Sequence, residues 1–530
     1  MTYFLNNEWG KNQYQNLSNA RTTDNSTVRS VVTSLIVALC MALLILFFWD
    51  VSRHSAKTHV FVIDTSQPIL YTTSEKFLSF GLDSSLLRHM KNFPIKDEKF
   101  VNLARHLSPA YVRFGGTSAD CLFFNETSFD FSTNTTSPVD GQDISNFTIT
   151  ENDFLDLYKF TEKSDLRMMF DLNVLIRLPD GTWDYNNAQE IIDFAKSRNM
   201  LVDWQLGNEP NSFPHAFGRT VTAEQLGRDY SRLRAILNLS GYQPSILVGP
   251  EVNHIGDENH HAEEYAKVFL ENNENSVDYF TWHQYYLNGR QAHVKDFINP
   301  STFKYLAMQI EGINTMIKST GQKIKMWLSE TSTAYGGGAP ELSDRFVAGF
   351  LWLDKLGYSA TTGVAVVVRQ SLFGGNYAMV GPDITPNPDW WVSVLYKQLV
   401  SKKVLRLVTA NDSPTVRLYA HCTPESALIN RVPAITLYGM NIDAAPAKIS
   451  IQRIQALQKK GATVFLYILT ASHLQSSEIR MNGETLKLKP DGTLPPFKPI
   501  ILDLSHSINL PGYSMIFMTI HGADVPACKT

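Results

Sequence analysis

Two glutamates occupy matching places in the sequence. Glu209 follows an apolar run, Leu201–Leu206, that is typical of a strand, and Glu330 follows a second such run, Ile324–Leu328. At the C-terminal rim of a parallel barrel, the side chains at the strand ends converge on a substrate. Two carboxyl groups at that rim suit glycoside hydrolysis, in which one protonates the leaving oxygen and the other attacks the anomeric carbon. The sequence therefore predicts a glycosidase whose catalytic pair is Glu209 and Glu330.

Composition narrows the functional class. The chain has 530 residues and a net charge of −4, which gives no reason to expect nucleic-acid binding. Its four cysteines are too few for a scaffold that disulfides hold together. The sequence contains no His, Cys and carboxylate cluster with the spacing of metal ligands, so neither a metal nor a cofactor is predicted.

The elements that must position the two glutamates alternate between strand-like and helix-like runs. Eight strands separated by helices predict an α/β fold, a (β/α)₈ TIM barrel over residues 75–400. Beyond that point only strands follow, separated by turn residues, which predicts a C-terminal β-sandwich over residues 401–530. The predicted barrel strands are Phe77–Asp83, Tyr111–Gly116, Met168–Asn173, Val202–Leu206, Ile246–Gly249, Val277–His283, Ile324–Leu328 and Gly363–Arg369.

The N-terminal region carries the signals for location. Residues 1–30 are polar and are predicted to be a disordered tail. Val31–Trp49 is an uncharged run of 19 residues, about 28 Å as a helix, and we expect a transmembrane signal-anchor over residues 31–51. This predicts a single-pass type II membrane protein whose catalytic domain is lumenal or extracellular, in the lysosome, the Golgi or at the cell surface. A cleaved signal peptide, which would give a secreted protein, is the alternative.

Sequons for N-glycosylation support that placement. The stretch from residue 125 to residue 150 is a polar insertion with little apolar periodicity, and we expect it to be a glycosylated surface loop. Five predicted acceptors follow the apolar run: Asn125, Asn134, Asn146, Asn238 and Asn411.

Four motifs give the chain a family resemblance. From about Phe77 to the C-terminus the sequence resembles the heparanase family of endo-β-glucuronidases. The resemblance implies a retaining mechanism on a (β/α)₈ barrel with a β-sandwich attached, and strands from residues 58–74 that join the sandwich. The motifs are Trp204–Phe213 (WQLGNEPNSF), Thr281–Arg290 (TWHQYYLNGR), Glu330–Pro340 (ETSTAYGGGAP) and Phe346–Gly357 (FVAGFLWLDKLG).

The resemblance also implies roles for individual residues. Glu209 resembles the acid/base of the family and Glu330 its nucleophile, with Asn208 at the sugar 2-hydroxyl and Tyr285 against the nucleophile. Cys422 and Cys528 resemble the disulfide of the sandwich. The residues expected to line the glucuronate subsite are Asp83, Thr117, Tyr335, Gly336, Gly337, Gly375 and Tyr377.

Several positions depart from the family pattern. Ser85 stands where an Asn is expected, and neither Asp143–Asp153 nor Asn253–Glu258 contains the basic residues expected there. Arg290 is therefore the clearest candidate for a sulfate ligand. The insertion between Cys121 and Asp153 is shorter than the processed linker of the family, so we expect an active single chain that needs no excision.

Three functions remain open from the sequence. The first is a heparanase-like endo-β-glucuronidase that cleaves the heparan sulfate chains of proteoglycans. The second is the same chemistry on hyaluronan, which the loss of the basic runs favours. The third is a non-catalytic relative that binds heparan sulfate, against which the intact pair of glutamates argues.

Overall fold

The computed structural model describes residues 30–41, 57–63, 66–126, 143–242, 245–410, 413–452, 462–503, 507–522 and 525–529. The chain divides into two compact units, Met1–Lys57 and Thr58–Thr530. Within the first unit, the described residues form one helix over 30–41. The predicted tail lies outside the described residues up to residue 29.

The predicted transmembrane helix is wrong. Among the residues that the structure describes, no helix is long and apolar enough to cross a membrane. The rest of the predicted segment, residues 42–51, lies outside the described residues. The signal-anchor and the single-pass type II placement that depended on it are withdrawn.

Eight parallel strands form the barrel that the alternating pattern predicts. Each strand is buried along most of its length, because helices cover the outside of the barrel and side chains fill its interior. The strands are β1 (Leu78–Asp83), β2 (Ala110–Gly115), β3 (Leu166–Leu172), β4 (Val202–Leu206), β5 (Val248–Val252), β6 (Tyr279–Gln284), β7 (Met326–Thr331) and β8 (Val366–Arg369).

The strands pair in the order β4-β3-β2-β1-β8-β7-β6-β5. A single parallel bridge between Trp204 on β4 and Leu247, just before β5, joins the two ends of that order. The Trp204 N–H group also donates to the Ile246 carbonyl at 3.0 Å. The ring is therefore nearly closed, and the C-terminal ends of all eight strands meet at one mouth.

A helix follows each strand. The first turn of α2 shows how the sequence starts these helices: Thr150 and Asp153 form a reciprocal capping box. The principal helices are α1 (Glu98–Arg105), α2 (Glu151–Lys163), α3 (Asn186–Ser197), α4 (Ala223–Leu239), α5 (His261–Asn272), α6 (Lys304–Ser319), α7 (Ala348–Thr361) and α8 (Pro388–Leu399), and two shorter helices are Phe213–Phe217 and Val294–Phe297.

The C-terminal part forms two packed antiparallel sheets. The smaller sheet has four strands in the order Leu407–Thr409, Lys57–Ile63, Ala447–Gln452 and Ile508–Leu510. The larger sheet contains Tyr71–Thr72, Lys403–Leu405, Val416–Cys422, Ala434–Asn441, Ser514–His521, Thr463–Thr470, Arg480–Met481, Glu484–Thr485 and Ile500–Asp503. Apolar side chains from both sheets, such as Phe61 and Leu437, form a shared core.

The segment before the barrel thus supplies a strand to each sheet. Phe61 pairs with Thr409 in the smaller sheet, and Thr72 pairs with Lys403 in the larger one. Cys422 and Cys528 form the disulfide that the family resemblance implies.

Helix α7 lies between the barrel and the larger sheet, which explains why nearly all of its side chains are buried. Gly357 on α7 allows the close approach of the two parts, because a Cβ atom there would lie 2.0 Å from the Tyr419 ring.

Three of the predicted glycosylation sites are described. Asn146 lies just before the short strand Phe147–Ile149, and Asn238 is exposed near the end of α4. The Asn125 side chain accepts from the Glu151 N–H group at 3.1 Å and donates to Glu190 at 3.3 Å. Asn134 and Asn411 lie outside the described residues, and glycosylation stays a prediction at all five.

Candidate active site

Glu209 and Glu330 face each other across the mouth of the barrel. Glu209 lies just after β4 in a left-handed conformation with φ of 55°, and its N–H group donates to the Glu251 carbonyl at 3.1 Å. Glu330 is on β7 and is 8% exposed. One carboxylate oxygen of each residue lies within 4.8 Å of the other. Retaining glycosidases place their two carboxyl groups about 5–5.5 Å apart, and this arrangement suits that chemistry.

The surroundings of Glu330 favour its anion. Arg113 donates to its Oε2 at 2.7 Å, and the Tyr285 hydroxyl donates to its Oε1 at 2.7 Å. Burial raises the pKa of Glu330, but the charges of His283 and Arg113 and the Tyr285 hydrogen bond outweigh it and hold the pKa below the ordinary value of 4.5. An ionised carboxylate in this position can act as a nucleophile.

Arg113 on β2 organises the floor of the site. Its guanidinium is almost wholly buried and donates from Nε to Gln205 at 2.8 Å and from Nη2 to the Asn208 Oδ1 at 2.8 Å. Because Asn208 accepts through its oxygen, its amide nitrogen is left to donate towards a bound ligand. The Asn208 N–H group donates to the buried Asp120 at 2.8 Å. Burial raises the pKa of Asp120 to about 7, against the opposing effect of two backbone N–H donors.

His283 on β6 joins two carboxylates. Its Nδ1 lies 2.8 Å from the Glu209 Oε1 and its Nε2 lies 2.8 Å from the Glu251 Oε2, while the Glu330 Oε1 is 4.0 Å away. Burial lowers the pKa of His283, but the surrounding carboxylates reverse this and raise it to about 10. Both ring nitrogens of His283 therefore face carboxylate oxygens, an arrangement that suits an imidazolium donating from each.

The same cluster also brings together three residues of types that can bind metals. Among the described residues, Glu209, His283 and Glu330 each bring one potential ligand atom to within 4.8 Å of the others. A histidine that binds a metal must be a neutral imidazole with a lone pair on the ligating nitrogen. Both ring nitrogens of His283 face carboxylate oxygens as donors, so this arrangement does not fit a cation.

A glycine-rich turn lies on one side of the mouth. Gly336 and Gly337 have φ of 73° and 83°, and a Cβ atom on either would meet nothing within 4 Å. The backbone of this turn is therefore open to a ligand, and close approach by a ligand needs residues without side chains. The Asn376 N–H group donates to the Gly337 carbonyl at 2.7 Å, which ties the segment of Gly375 and Tyr377 to the turn.

Arg290 and Tyr335 flank this turn. Gly289 packs so closely on it that a Cβ atom there would lie 2.7 Å from the carbonyl oxygens of Gly338 and Tyr335. Arg290, the next residue, is exposed, and Tyr335 is 48% exposed. Both side chains are accessible at the rim.

Asp83 lies at the mouth at the end of β1, next to β8 in the barrel. Its Oδ2 accepts from Gln370 at 2.9 Å and its Oδ1 accepts from the Ser85 N–H group at 2.9 Å. Burial raises the pKa of Asp83, and the charge of Glu330 adds to the effect. The pKa of Tyr377 is raised by burial and by the charges of Asp83 and Glu330, which places all three groups in one site. Thr117 begins the turn just after Gly116, where a Cβ atom would lie 2.7 Å from the Asp83 Oδ2.

The structure brings the predicted catalytic and substrate residues to one mouth and leaves the disulfide in the sandwich. Sequence reasoning missed several buried polar residues that hold the pair. A signal was present for Arg113, Gln205, Glu251 and His283, since each is a polar side chain on a largely apolar strand. The missed residues are Arg113, Asp120, Gln205, Glu251, His283 and Gln370.

Comparisons of the sequence with known proteins identify a family. The family model described as "Glycosyl hydrolase family 79, N-terminal domain" matches residues 82–357. A heparanase of Bos taurus is 34% identical over 503 residues, which covers 88% of this chain and 91% of the relative. A hyaluronoglucuronidase of Hirudo nipponia is 30% identical over 493 residues, covering 87% and 97%. An inactive heparanase-2 of Homo sapiens is 29% identical over 534 residues, covering 88% and 89%.

A solved structure supports the fold. The 4-O-α-L-rhamnosyl-β-D-glucuronidase of Fusarium oxysporum 12S superposes with a TM-score of 0.60, covering 87% of this chain and 100% of that chain. Its sequence is 16% identical, so the likeness concerns the architecture alone.

Proposed function

The chain belongs to glycosyl hydrolase family 79, and on that premise we propose that it cleaves heparan sulfate internally, with Glu209 as acid/base and Glu330 as nucleophile. It is a glycoside hydrolase of the heparanase type, and its substrates are glycosaminoglycans. The observation that carries the residue roles is the approach of the two carboxylates to within 4.8 Å at the barrel mouth. We assign residues 75–400 as the catalytic barrel and residues 401–530, with strands from 58–74, as the sandwich.

The first half of the reaction forms a covalent intermediate. Glu330, kept anionic by Arg113 and Tyr285, attacks the anomeric carbon while Glu209 donates a proton to the departing glycosidic oxygen. Asn208 presents its amide nitrogen to the 2-hydroxyl of the sugar, since Arg113 already occupies its oxygen.

The second half releases the product. Glu209 takes a proton from a water molecule, which attacks the intermediate and returns Glu330 to its free form. Two displacements on the same carbon retain the anomeric configuration. Tyr285 holds the Glu330 Oε1 by its hydrogen bond while the Oε2 stays with Arg113.

The glycine-rich turn supports a glucuronate next to the cleaved bond. Consecutive backbone N–H groups with positive φ form a concave donor surface that suits a carboxylate. Gly336 and Gly337 have this conformation and are open, and Gly375 and Tyr377 lie against them. We propose that these residues, with Asp83, Thr117 and Tyr335, form the glucuronate subsite, and that Arg290 contacts a sulfate group beyond it.

Hyaluronan is the second candidate substrate. In the loop after β5, His254 and Asp257 are exposed and lie 3.6 Å apart, and the residues 253–258 contain no Lys or Arg. Weak positive charge at the rim would suit an unsulfated polymer. The non-catalytic alternative is less favoured, because both carboxylates and their partners are in place.

The test is a comparison of the two polymers. The purified protein is incubated with heparan sulfate and, separately, with hyaluronan, and the fragments are sized. We expect internal cleavage of heparan sulfate, with new reducing ends of retained configuration by proton NMR. Cleavage of hyaluronan alone would reassign the substrate, and no cleavage of either polymer would contradict the function. Glu330→Gln is the control for a contaminating enzyme.

A further inference from the structure

Glu251 is a third carboxylate beside the proposed catalytic pair. It lies on β5, is 0% exposed, and adopts a positive φ of 62°. Its side chain meets donors only: Gln205 at 2.6 Å on Oε1, and His283 and Ser329, each at 2.8 Å, on Oε2. The Arg113 guanidinium lies 3.2 Å from Oε2. A side chain surrounded by donors must be an acceptor, which requires the carboxylate form.

The charge of Glu251 is stable despite its burial. Burial raises the pKa of Glu251, but Arg113 and His283 more than offset this and hold it below 4.5. A buried carboxylate that is strongly held as an anion but does not reach the cleft must act through a neighbour. The neighbour that also reaches the proposed acid/base is His283, through Nδ1 to the Glu209 Oε1.

His283 is the link between the two carboxylates. The titratable groups that face it are Glu251 from β5, Glu209 after β4 and Glu330 from β7. Asp171 on β3 also acts on it at longer range, and the Arg113 cation lies beside the same carboxylates. Of these groups, Glu251 bonds the ring nitrogen that points away from the cleft.

We propose that Glu251 is a positioning residue that keeps His283 charged, and that this charge makes Glu209 a stronger proton donor. As an imidazolium, His283 donates its Nδ1 proton to the Glu209 Oε1, so the transferable proton of Glu209 is on Oε2. When Glu209 gives that proton to the leaving oxygen, the new carboxylate is stabilised by a cation at 2.8 Å. His283 and Glu251 neither gain nor lose a proton in the step.

This inference rests on the proposed role of Glu209 and goes beyond it. An acid strengthened by a neighbouring charge matters most for a leaving group that needs a proton. The natural polysaccharide has a sugar alcohol as its leaving group, whereas an aryl glucuronide with an acidic phenol departs almost unaided. A variant with a weaker acid should therefore lose activity mainly on the polysaccharide, whereas a variant with a generally damaged site should lose activity on both substrates.

The experiment uses Glu251→Gln, which removes the charge and keeps the shape. We expect kcat/KM to fall by about 10- to 100-fold on the polysaccharide and by no more than about threefold on the aryl glucuronide. The basic limb of the pH–rate profile should move to higher pH by about one unit, since a cation beside the acid is lost. Glu251→Asp keeps the charge and should leave the limb near its wild-type position. Glu311→Gln, an exposed carboxylate on α6, is the matched control.

Two results would overturn the inference. One is an equal loss on both substrates with an unmoved basic limb, which would mean that Glu251 is only structural. The other is no loss on either. Glu209→Ala, assayed in parallel, must itself show the leaving-group dependence. If Glu209→Ala slows both substrates equally, the proposed role of Glu209 is wrong. If Glu209→Ala shows the leaving-group dependence and Glu251→Gln does not, only the proposed role of Glu251 is wrong.

A second measurement needs no Glu251 variant. In the full chain labelled with ¹⁵N-histidine, the His283 ring signals can be assigned from their loss in His283→Gln. We expect both ring nitrogens to carry protons from pH 5 to pH 8, below the pKa of about 10. A neutral His283 ring at pH 7 would overturn the proposal even if Glu251→Gln did not fold.

Discussion

Charged side chains are buried both at the mouth of the barrel and at the interface between the barrel and the sandwich. The two regions differ in how their carboxylates are paired with cations. In the mouth cluster, three carboxylates, Glu209, Glu251 and Glu330, share two cations, Arg113 and His283. Each cation contacts more than one carboxylate. The side chains of Glu209 and Glu330 remain 24% and 11% exposed, so both reach the cleft.

In the interface cluster, each carboxylate has its own arginine. Asp354 on α7 accepts from Arg417 at 2.5 Å and from the Tyr419 hydroxyl at 2.5 Å, both on the sandwich strand Val416–Cys422. Asp389 on α8 pairs with Arg369 at 2.7 Å. The carboxylates of this cluster are fully enclosed.

This difference distinguishes buried charges that take part in the reaction from buried charges that stabilise the fold. The shared cations hold Glu251 and Glu330 as anions, and the partly exposed oxygens of Glu209 and Glu330 can meet a substrate. One-to-one pairs enclosed on all sides offer no such access, and their removal leaves an uncompensated charge. Substitutions in the mouth should therefore cost activity, and substitutions in the interface should cost stability.

Glu330→Gln tests the mouth at its most sensitive point. The amide cannot form the covalent intermediate, so kcat should fall on the order of 10⁴- to 10⁶-fold. The protein should remain folded by circular dichroism, with a urea midpoint close to that of the Glu311→Gln control. A variant that kept full activity would exclude Glu330 as the nucleophile.

Glu209→Ala should show a smaller loss that depends on the substrate. Without a general acid, cleavage of the polysaccharide should slow by about 10²- to 10⁴-fold. An aryl glucuronide with a good leaving group should still form the intermediate, and added azide should accelerate its turnover and yield a glucuronyl azide of retained configuration. The absence of azide rescue, in a protein shown to be folded, would contradict the assignment.

Asp354→Asn tests the interface cluster. It leaves Arg417 buried without its carboxylate and should lower the free energy of unfolding by about 3–5 kcal/mol. Urea denaturation measures this loss, and kcat of the folded fraction should change by less than about tenfold. Asp257→Asn, whose side chain is 55% exposed, is the control for loss of a carboxylate. A stable but inactive variant would remove the distinction between the two clusters.

Much of the barrel could be predicted because its signals are local. Apolar runs of strand length, separated by amphipathic helices, give the number and order of elements, and the strand ends then place Glu209 and Glu330 on one rim. The disulfide and the substrate residues were predicted from the family resemblance.

The partners of the catalytic pair could not be predicted in the same way. Arg113, Glu251 and His283 come from β2, β5 and β6, and their contacts exist only because the ring closes. A polar residue within an apolar run indicates burial, but its neighbour depends on strand register. The N-terminal prediction rested on an uncharged run alone, and among the described residues no helix is long and apolar enough to cross a membrane.

Tyr285→Phe tests whether the Tyr285 hydroxyl lowers the pKa of Glu330, and the pH profile of kcat/KM measures the effect. The Tyr285 hydroxyl donates to the Glu330 anion at 2.7 Å, and its loss should bring the lowered pKa of Glu330 back up towards 4.5. A hydrogen bond to a charged group contributes about 1.5 kcal/mol, which corresponds to about one pH unit. The acid limb of the kcat/KM profile should therefore move to higher pH by about one unit. Tyr305→Phe, a half-exposed tyrosine on α6, is the control, and an unmoved acid limb would mean that Tyr285 does not tune the nucleophile.

The smallest effect is expected for a cut that touches neither cluster. A site for a specific protease is introduced within residues 127–142, and the purified protein is assayed before and after cleavage. Activity should change by no more than about twofold, because no residue of either charge cluster lies in that stretch of the sequence. An intact protein that stayed inactive until cut would contradict the single-chain prediction.

The two fragments should also remain associated after that cut, because the chain is held on both sides of it. The strand Leu122–Phe124 pairs in parallel with Phe147–Ile149, and Arg88 donates to the Asp143 carbonyl at 2.8 Å and stacks over the Phe147 ring at 4.2 Å. The N-terminal fragment carries β1, β2 and one strand of each sandwich sheet, so its release would open both the barrel and the sandwich. Co-elution with activity would show that noncovalent contacts between the fragments, rather than continuity of the chain, hold the site together. Co-elution without activity would instead mean that the uncut segment positions the mouth cluster.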